Sequence, residues 1–199
     1  MAELVDTPRG PARVHFHAVD SPRAAVVLGH GAGGGVESSD LVGATQAANE
    51  AGLTVAPLEQ PYRVAGRRSP APARQLDEVW LTVVPQLFPD LPLIVGGRSL
   101  GARVACRTAD ETGAVAVLCL AFPLHPPGKP EKTRLPELDS INVPTLVVQG
   151  ERDPFGIPPP APNREVVLIP GTHSLRSTST VASVVAEWFA DDFRRRAAS

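Results

Sequence analysis

The 199-residue chain has no excess of either charge: 19 Lys and Arg stand against 21 Asp and Glu, a formal net charge of −2. A polyanion-binding surface needs a cationic surplus, so no nucleic-acid partner is expected. No stretch approaches the ~18 consecutive apolar residues that a membrane-spanning helix needs. The opening segment, MAELVDTPRGPARVHF, holds no apolar run of signal-peptide length. The expectation is a soluble, cytoplasmic protein with no membrane partner. Cysteine is scarce: Cys106 and Cys119 are the only two, each inside an apolar run. Buried free thiols are expected there, rather than a disulfide or a metal pair. Internal repeats are absent, as is any linker that would separate two cores. The reading is one domain over residues 1–199, long enough for a single sizeable core.

Proline, by contrast, is abundant, and its 22 copies cluster in RRSPAPARQ, HPPGKPEK and FGIPPPAPNR. Such clusters mark stiff, ordered loops. Between them run short apolar segments: AAVVLGH (24–30), LTVAPLE (53–59), LPLIVGG (91–97), AVAVLCLAF (114–122), PTLVVQG (144–150) and EVVLIP (165–170). Near-continuous apolar runs of this length are the pattern of strands covered on both faces. ARVHFHAV (12–19) alternates, as a half-exposed strand does. Helical patterns fall at 40–52, opened by Asp40 as a capping residue, at 71–88, at 99–113 and at 179–196. Pro85 should break or kink the last turn of the second of these. The three arginines ending the last one suit a helix C-terminus, whose dipole favours cations. Strand–helix alternation predicts an α/β fold with a mostly parallel sheet of about seven strands, helices on both faces and right-handed crossovers. Ligands of such a sheet bind beyond the carboxyl ends of the strands.

One turn at such an end carries chemistry. In VGGRSLGAR, Gly97-Arg98-Ser99-Leu100-Gly101 has the form G-x-S-x-G, with a strand before it and a helix after it. A serine nucleophile needs that setting. Small neighbours allow a tight strand-to-helix turn that exposes Oγ, and the helix N-terminus aims backbone N–H groups at it. The pentapeptide alone is weak, since a glycine-rich turn can simply close a crossover. Upstream, VVLGHGAGGGVESSD places a glycine-rich loop after another strand. Such a loop can turn N–H groups toward an oxyanion with no Cβ in the way. The expected donors are Leu100, Ala32 and, next to it, Gly33. A nucleotide loop is the rival, but no GK[ST] follows, and no strand ending in a clear ribose-binding acid does either. The reading calls for no cofactor and no metal. His30 is expected to orient the loop through hydrogen bonds rather than to act as a base.

The base and its orienting acid must come from later strand ends. Asp153, in QGERDPFG, lies just past one apolar run; His173, in GTHSL, just past the next. Ser99, then Asp153, then His173 is the chain order expected for a nucleophile–acid–base set on such a sheet. His173 would take the Ser99 proton, and Asp153 would fix the imidazole tautomer. Glu151 and Asp139 are the fallback acids and His125 the fallback base.

These stretches together resemble the α/β-hydrolase superfamily, in particular its compact dienelactone-hydrolase-like group. LGHGAGGG, PYRVAGRRSP, VGGRSLGARVA, LAFPLHPPGKPEK, PTLVVQGERDPFG and GTHSL are similar to small bacterial hydrolase-like proteins related to the hydrolase-like domains of testis-expressed and histone-acetyltransferase-complex proteins. The likeness spans about residues 24–176. It implies an eight-strand plan, here shortened to seven by loss of the first strand, and Ser99, Asp153 and His173 at the catalytic positions. Dienelactone hydrolases proper carry a cysteine nucleophile, whereas position 99 is serine.

Between the run at 114–122 and Asp153 the chain holds only PLHPPGKPEKTRLPELDSIN, too little for a helical lid. An open cleft suits small soluble esters or thioesters. Tyr62, Arg63, Arg98 and His125 are the candidate substrate-binding residues, the arginines for a substrate carboxylate. The protein would act as a monomer or homodimer. A hydrolase-fold module that binds a partner without turnover is the second reading, because fold and motif do not guarantee chemistry.

Overall fold

The computed structural model describes residues 1–197, with the side chains of the last helix described through residue 190. The C-terminal arginines read above as matching a helix dipole lie at 194–196, so their side chains fall outside the described residues.

Among the described residues eight strands form one sheet: β1 (Ala2–Val5), β2 (Ala12–His15), β3 (Ala25–Gly29), β4 (Thr54–Glu59), β5 (Leu93–Arg98), β6 (Ala116–Leu120), β7 (Thr145–Gly150) and β8 (Arg164–Ile169). Their spatial order is β1-β2-β4-β3-β5-β6-β7-β8. From β3 to β8 all neighbours pair in parallel, whereas β1 and β2 form an antiparallel border. The sequence led to seven strands with the first one lost. The structure corrects this, because residues 2–5 pair with residues 12–15. That strand is nearly all exposed, so it has no apolar run by which to be recognised.

The apolar runs become strands because both faces of the sheet are covered. Along β3, Ala25 and Val27 face one core and Val26 and Leu28 the other. This is the two-residue alternation of a strand buried on both sides. The first core packs under α3 (Ala73–Leu87) and α4 (Leu100–Thr108), and the second under α1 (Ser39–Glu50) and α6 (Thr178–Ala197). Short helices α2 (Pro61–Val64) and α5 (Leu135–Asp139) complete the set and were not anticipated. Pro85 sits inside α3, which ends two residues later at Leu87. One expectation about the sheet fails at its border. β8 has only one neighbour, and its residues are not covered on both faces: Leu168 is 46% exposed. Its apolar run therefore reads like an inner strand although it is an edge strand.

Cys106 and Cys119 are buried free thiols, with their Sγ atoms 3.4 Å apart. Burial pushes the Cys106 thiol well above its usual range, which keeps it protonated and unreactive. Among the described residues no helix is long and apolar enough to cross a membrane.

In this order the chain steps from β3 outward to β4, then returns past β3 to β5. The loops after β3 and β5 thus open side by side at the carboxyl edge of the sheet, where the direction of winding reverses.

Candidate active site

The turn after β5 is tight and strained. Ser99 has φ 51° and ψ −105°, a left-handed backbone that a serine adopts at a cost of roughly 1–3 kcal/mol. The strain is held by its surroundings. The Ser99 N–H donates to the Leu120 carbonyl of β6 at 2.9 Å, and α4 starts at the next residue. The flanking glycines are required because the elbow lies against β3: a Cβ on either Gly97 or Gly101 would collide with the Gly29 carbonyl oxygen. The G-x-S-x-G spacing is therefore a packing solution at both glycines.

Three strand ends bring Ser99, His173 and Asp153 together. Ser99 Oγ lies 2.9 Å from His173 Nε2, and His173 Nδ1 lies 2.8 Å from Asp153 Oδ2. The Asp153 side chain is fully buried. A carboxylate only accepts, so Nδ1 carries the imidazole proton and Nε2 is left to accept from the serine hydroxyl. Asp153 is fixed by two further donors, the Phe155 N–H to Oδ1 at 2.8 Å and Gln149 Nε2 to Oδ2 at 2.8 Å. Gln149 is itself completely buried. Its Nε2 also faces the carbonyls of Phe122 and Gly156 at 3.1 and 2.9 Å, so three acceptors fix which way the amide points. The Phe155 ring lies against the His173 ring, centroids 4.1 Å apart, and limits its rotation.

The glycine-rich loop after β3 is held from below. His30 is buried; its Nε2 accepts the Gln60 N–H at 3.1 Å, which assigns the proton to Nδ1. Nδ1 then donates to the Gly31 carbonyl at 2.8 Å. Burial lowers the His30 pKa, so the ring stays neutral in this role. Because the peptide unit is planar and trans, fixing the Gly31 carbonyl also fixes the opposed Ala32 N–H. The Tyr62 hydroxyl donates to the Ala32 carbonyl at 3.0 Å, and burial raises its pKa to about 12, so it remains a donor.

Arg98 joins the two sides. Its Nε donates to Asp40 Oδ2 at 2.8 Å, and one Nη to the His173 carbonyl at 3.3 Å. The guanidinium also lies against Gly31, where a Cβ would come within 2.5 Å of it. Asp40 is 1% exposed and does not cap α1. The residue preceding that helix is Ser38; inside the first turn, Asp40 Oδ1 accepts the Leu41 N–H at 2.9 Å while Oδ2 serves Arg98.

Ser99 and His173 open onto a cleft of about 310 Å³. Leu100, Ala32, Gly33 and Arg98, all nominated from the sequence, line it. Arg103, Pro123, Arg134 and Phe155 line it too, and the sequence did not nominate them. Tyr62, Arg63 and His125 are not brought to it. Tyr62 is buried beneath the Ala32 loop and borders a separate cavity with Gln60 and Leu76. Arg63 is the third residue of α2, and its Nε is buried without a hydrogen-bond partner among the described residues. His125 Nδ1 donates to the Pro126 carbonyl at 2.9 Å, while Nε2 lies against Gly156. All three follow strand ends, but none of their side chains lines the cleft. Of the fallback acids, Asp139 accepts from Arg164 at 3.1 Å and Glu151 is exposed; Asp153 is the carboxylate bonded to His173.

Residues 22–166 match the sequence model of a family described as an alpha/beta hydrolase domain. No curated protein matches the chain in sequence. Solved structures do match it in shape. The esterase Est1E from Butyrivibrio proteoclasticus is 17% identical, with a TM-score of 0.77 over 97% of this chain and 99% of that one. A serine hydrolase without a lid from Xanthomonas campestris is 18% identical, with a TM-score of 0.74 over 94% of this chain and 92% of that one. A dienelactone hydrolase from Anabaena variabilis is 19% identical, with a TM-score of 0.70 over 96% of each chain. Identities this low establish a shared fold.

Proposed function

This chain belongs to the alpha/beta hydrolase domain family, and on that premise we propose that it is a serine hydrolase that cleaves esters or thioesters of small, soluble acids. One observation carries the reading: the unbroken hydrogen-bond line from Ser99 Oγ through His173 to the buried Asp153, at 2.9 and 2.8 Å.

In the proposed mechanism Ser99 Oγ attacks the carbonyl carbon while its proton passes to His173 Nε2. Asp153 remains a carboxylate and stabilises the imidazolium through Nδ1. The negative charge that forms on the carbonyl oxygen is received by the N–H of Leu100, unpaired at the first turn of α4, and by that of Ala32, with Gly33 as the neighbouring donor. The tetrahedral intermediate collapses, the carbon–oxygen or carbon–sulfur bond breaks, and His173 returns its proton to the leaving group. Water then attacks the acyl-serine, giving its proton to His173, and the second collapse frees the acid and regenerates the Ser99 hydroxyl. No cofactor or metal takes part in this proposal.

The cleft supports the substrate class. Burying each methylene of an acyl chain contributes about 0.8 kcal/mol, but only where an apolar wall exists to bury it. Here Phe155, Pro123 and Leu100 are the larger apolar groups, and arginines make up much of the remainder. The Xanthomonas protein of similar shape is itself described as lacking a lid. Acyl chains of about six carbons or fewer are expected to be preferred. Measuring kcat/KM on esters from acetate to palmitate tests this: the values should peak at short chains and vanish in Ser99→Ala. A steady rise to palmitate would overturn the chain-length reading. Turnover by Ser99→Ala at the wild-type rate would overturn the mechanism, and no turnover by either protein would favour a binding module.

A further inference from the structure

We infer that the ester cleaved here carries a second, anionic oxygen group, a carboxylate or a phosphate, bound by the Arg134 guanidinium away from the scissile bond. The inference deepens the serine-hydrolase reading and rests on it.

Three arginines line the cleft, and two of them are already neutralised. Arg98 is paired with the buried Asp40 at 2.8 Å. Arg103 makes a two-point contact with Glu137, at 2.9 and 2.5 Å. Behind it Arg107 makes a two-point contact with Asp77, at 2.9 and 2.6 Å, and reaches Glu137 only at 3.5 Å. Arg134 completes this cluster and has no carboxylate partner among the described residues. Three cations thus share two carboxylates, and the surplus charge sits on Arg134, which like Arg103 lines the cleft. One Arg134 Nη donates to the Pro123 carbonyl at 2.9 Å. The backbone of Arg134 donates to the Leu124 carbonyl at 2.7 Å, which anchors the residue where β6 and α5 are joined. A guanidinium has five N–H donors in a planar fork that matches a carboxylate or phosphate at two points. Most of that fork is unused here.

The electrostatics point the same way. Partial burial and the nearby Arg103 lower the Arg134 pKa, and Glu137, already bonded to Arg103, offsets this only in part. An anion in the cleft would supply what the protein does not. Ser99 and Arg134 line the same 310 Å³ space, so one small molecule can present its carbonyl to one and its anion to the other.

The test compares monoethyl glutarate with ethyl valerate, which differ only in a terminal carboxylate for a methyl. The wild-type protein is expected to favour the glutarate ester at least tenfold in kcat/KM, and the preference should shrink in 1 M salt as screening shortens to about 3 Å. Arg134→Gln should lower that ratio about tenfold, and Arg134→Lys, which keeps the charge without the fork, should retain part of it. A role confined to holding the Pro123 carbonyl would lower both rates alike and leave the ratio unchanged; that result, or a wild-type ratio near one, overturns the inference while leaving the hydrolase reading intact. Failure of that reading is seen separately, as no turnover of either ester. The anion site is then judged by calorimetric titration of glutarate and inorganic phosphate into Ser99→Ala. Binding that weakens at least tenfold when Arg134→Gln is added supports it, and no binding overturns it.

Discussion

The two loops beside Ser99 are both tied down by hydrogen bonds, but different chemistry holds each of them. The loop after β7 is organised around a charge: Asp153, with no exposed side-chain surface, takes hydrogen bonds from His173, Gln149 and the Phe155 backbone. The loop after β3 is organised by neutral donors placed under its carbonyls, His30 on Gly31 and Tyr62 on Ala32. A buried charge that loses a partner is costly, whereas a lost neutral hydrogen bond costs about 1 kcal/mol. The side of the proposed base should therefore fail abruptly when altered and the proposed oxyanion side gradually. Arg98, which touches Asp40, the His173 carbonyl and the surroundings of Gly31, is where the two sides meet.

Substitution on the base side should have the largest effect. Asp153→Asn keeps the shape but presents an amide whose NH₂ faces Nδ1 or whose oxygen is a weaker acceptor. Ester kcat/KM should fall ~10³–10⁴-fold, since the wrong imidazole tautomer cannot accept from Ser99. A loss under tenfold would make the two loops alike and break the comparison.

At the junction, Arg98→Ala leaves the Asp40 carboxylate, which is 1% exposed, without its cation and with only the Leu41 N–H as a donor. Breaking a buried pair from one side costs about 3–5 kcal/mol, a little less here because the Arg98 side chain is 17% exposed. Urea unfolding measures it, and a loss below about 1 kcal/mol would mean that water reaches Asp40. Activity should fall as well, because the His173 carbonyl loses its donor.

On the oxyanion side, Tyr62→Phe removes the single bond to the Ala32 carbonyl and leaves the ring in place. Its loss should lower kcat three- to tenfold, with KM little changed, in line with about 1 kcal/mol for one hydrogen bond. A change in KM alone would return Tyr62 to the substrate-binding role read from sequence.

What the sequence disclosed and what it withheld follow from how local each feature is. The inner strands were legible because residues such as Val26 and Val27 need cover on opposite faces, which forces an apolar run. β1 was not, because its side chains are exposed and only backbone pairing with β2 defines it. Ser99, Asp153 and His173 each sit in a short loop directly after a strand, so chain order was enough to nominate them. Gln149 was overlooked although a glutamine inside PTLVVQG is a visible anomaly: a buried amide requires partners. Tyr62, Arg63 and His125 also follow strand ends, yet whether a side chain lines the cleft depends on neighbours distant in sequence. Arg134 shows the same dependence in reverse. One arginine among many, it becomes distinctive only once the carboxylates are seen to be committed to Arg103 and Arg107.

The central claim is that Ser99 is an activated nucleophile, and covalent labelling tests it without knowledge of the substrate. Incubation with a fluorophosphonate, followed by intact-mass and peptide mapping, should give one phosphonyl adduct, on the peptide holding Ser99. The adduct should be lost in Ser99→Ala and slowed by orders of magnitude in His173→Ala, because the members act as a unit. An unlabelled wild-type protein, or an adduct that persists in Ser99→Ala, would contradict the account.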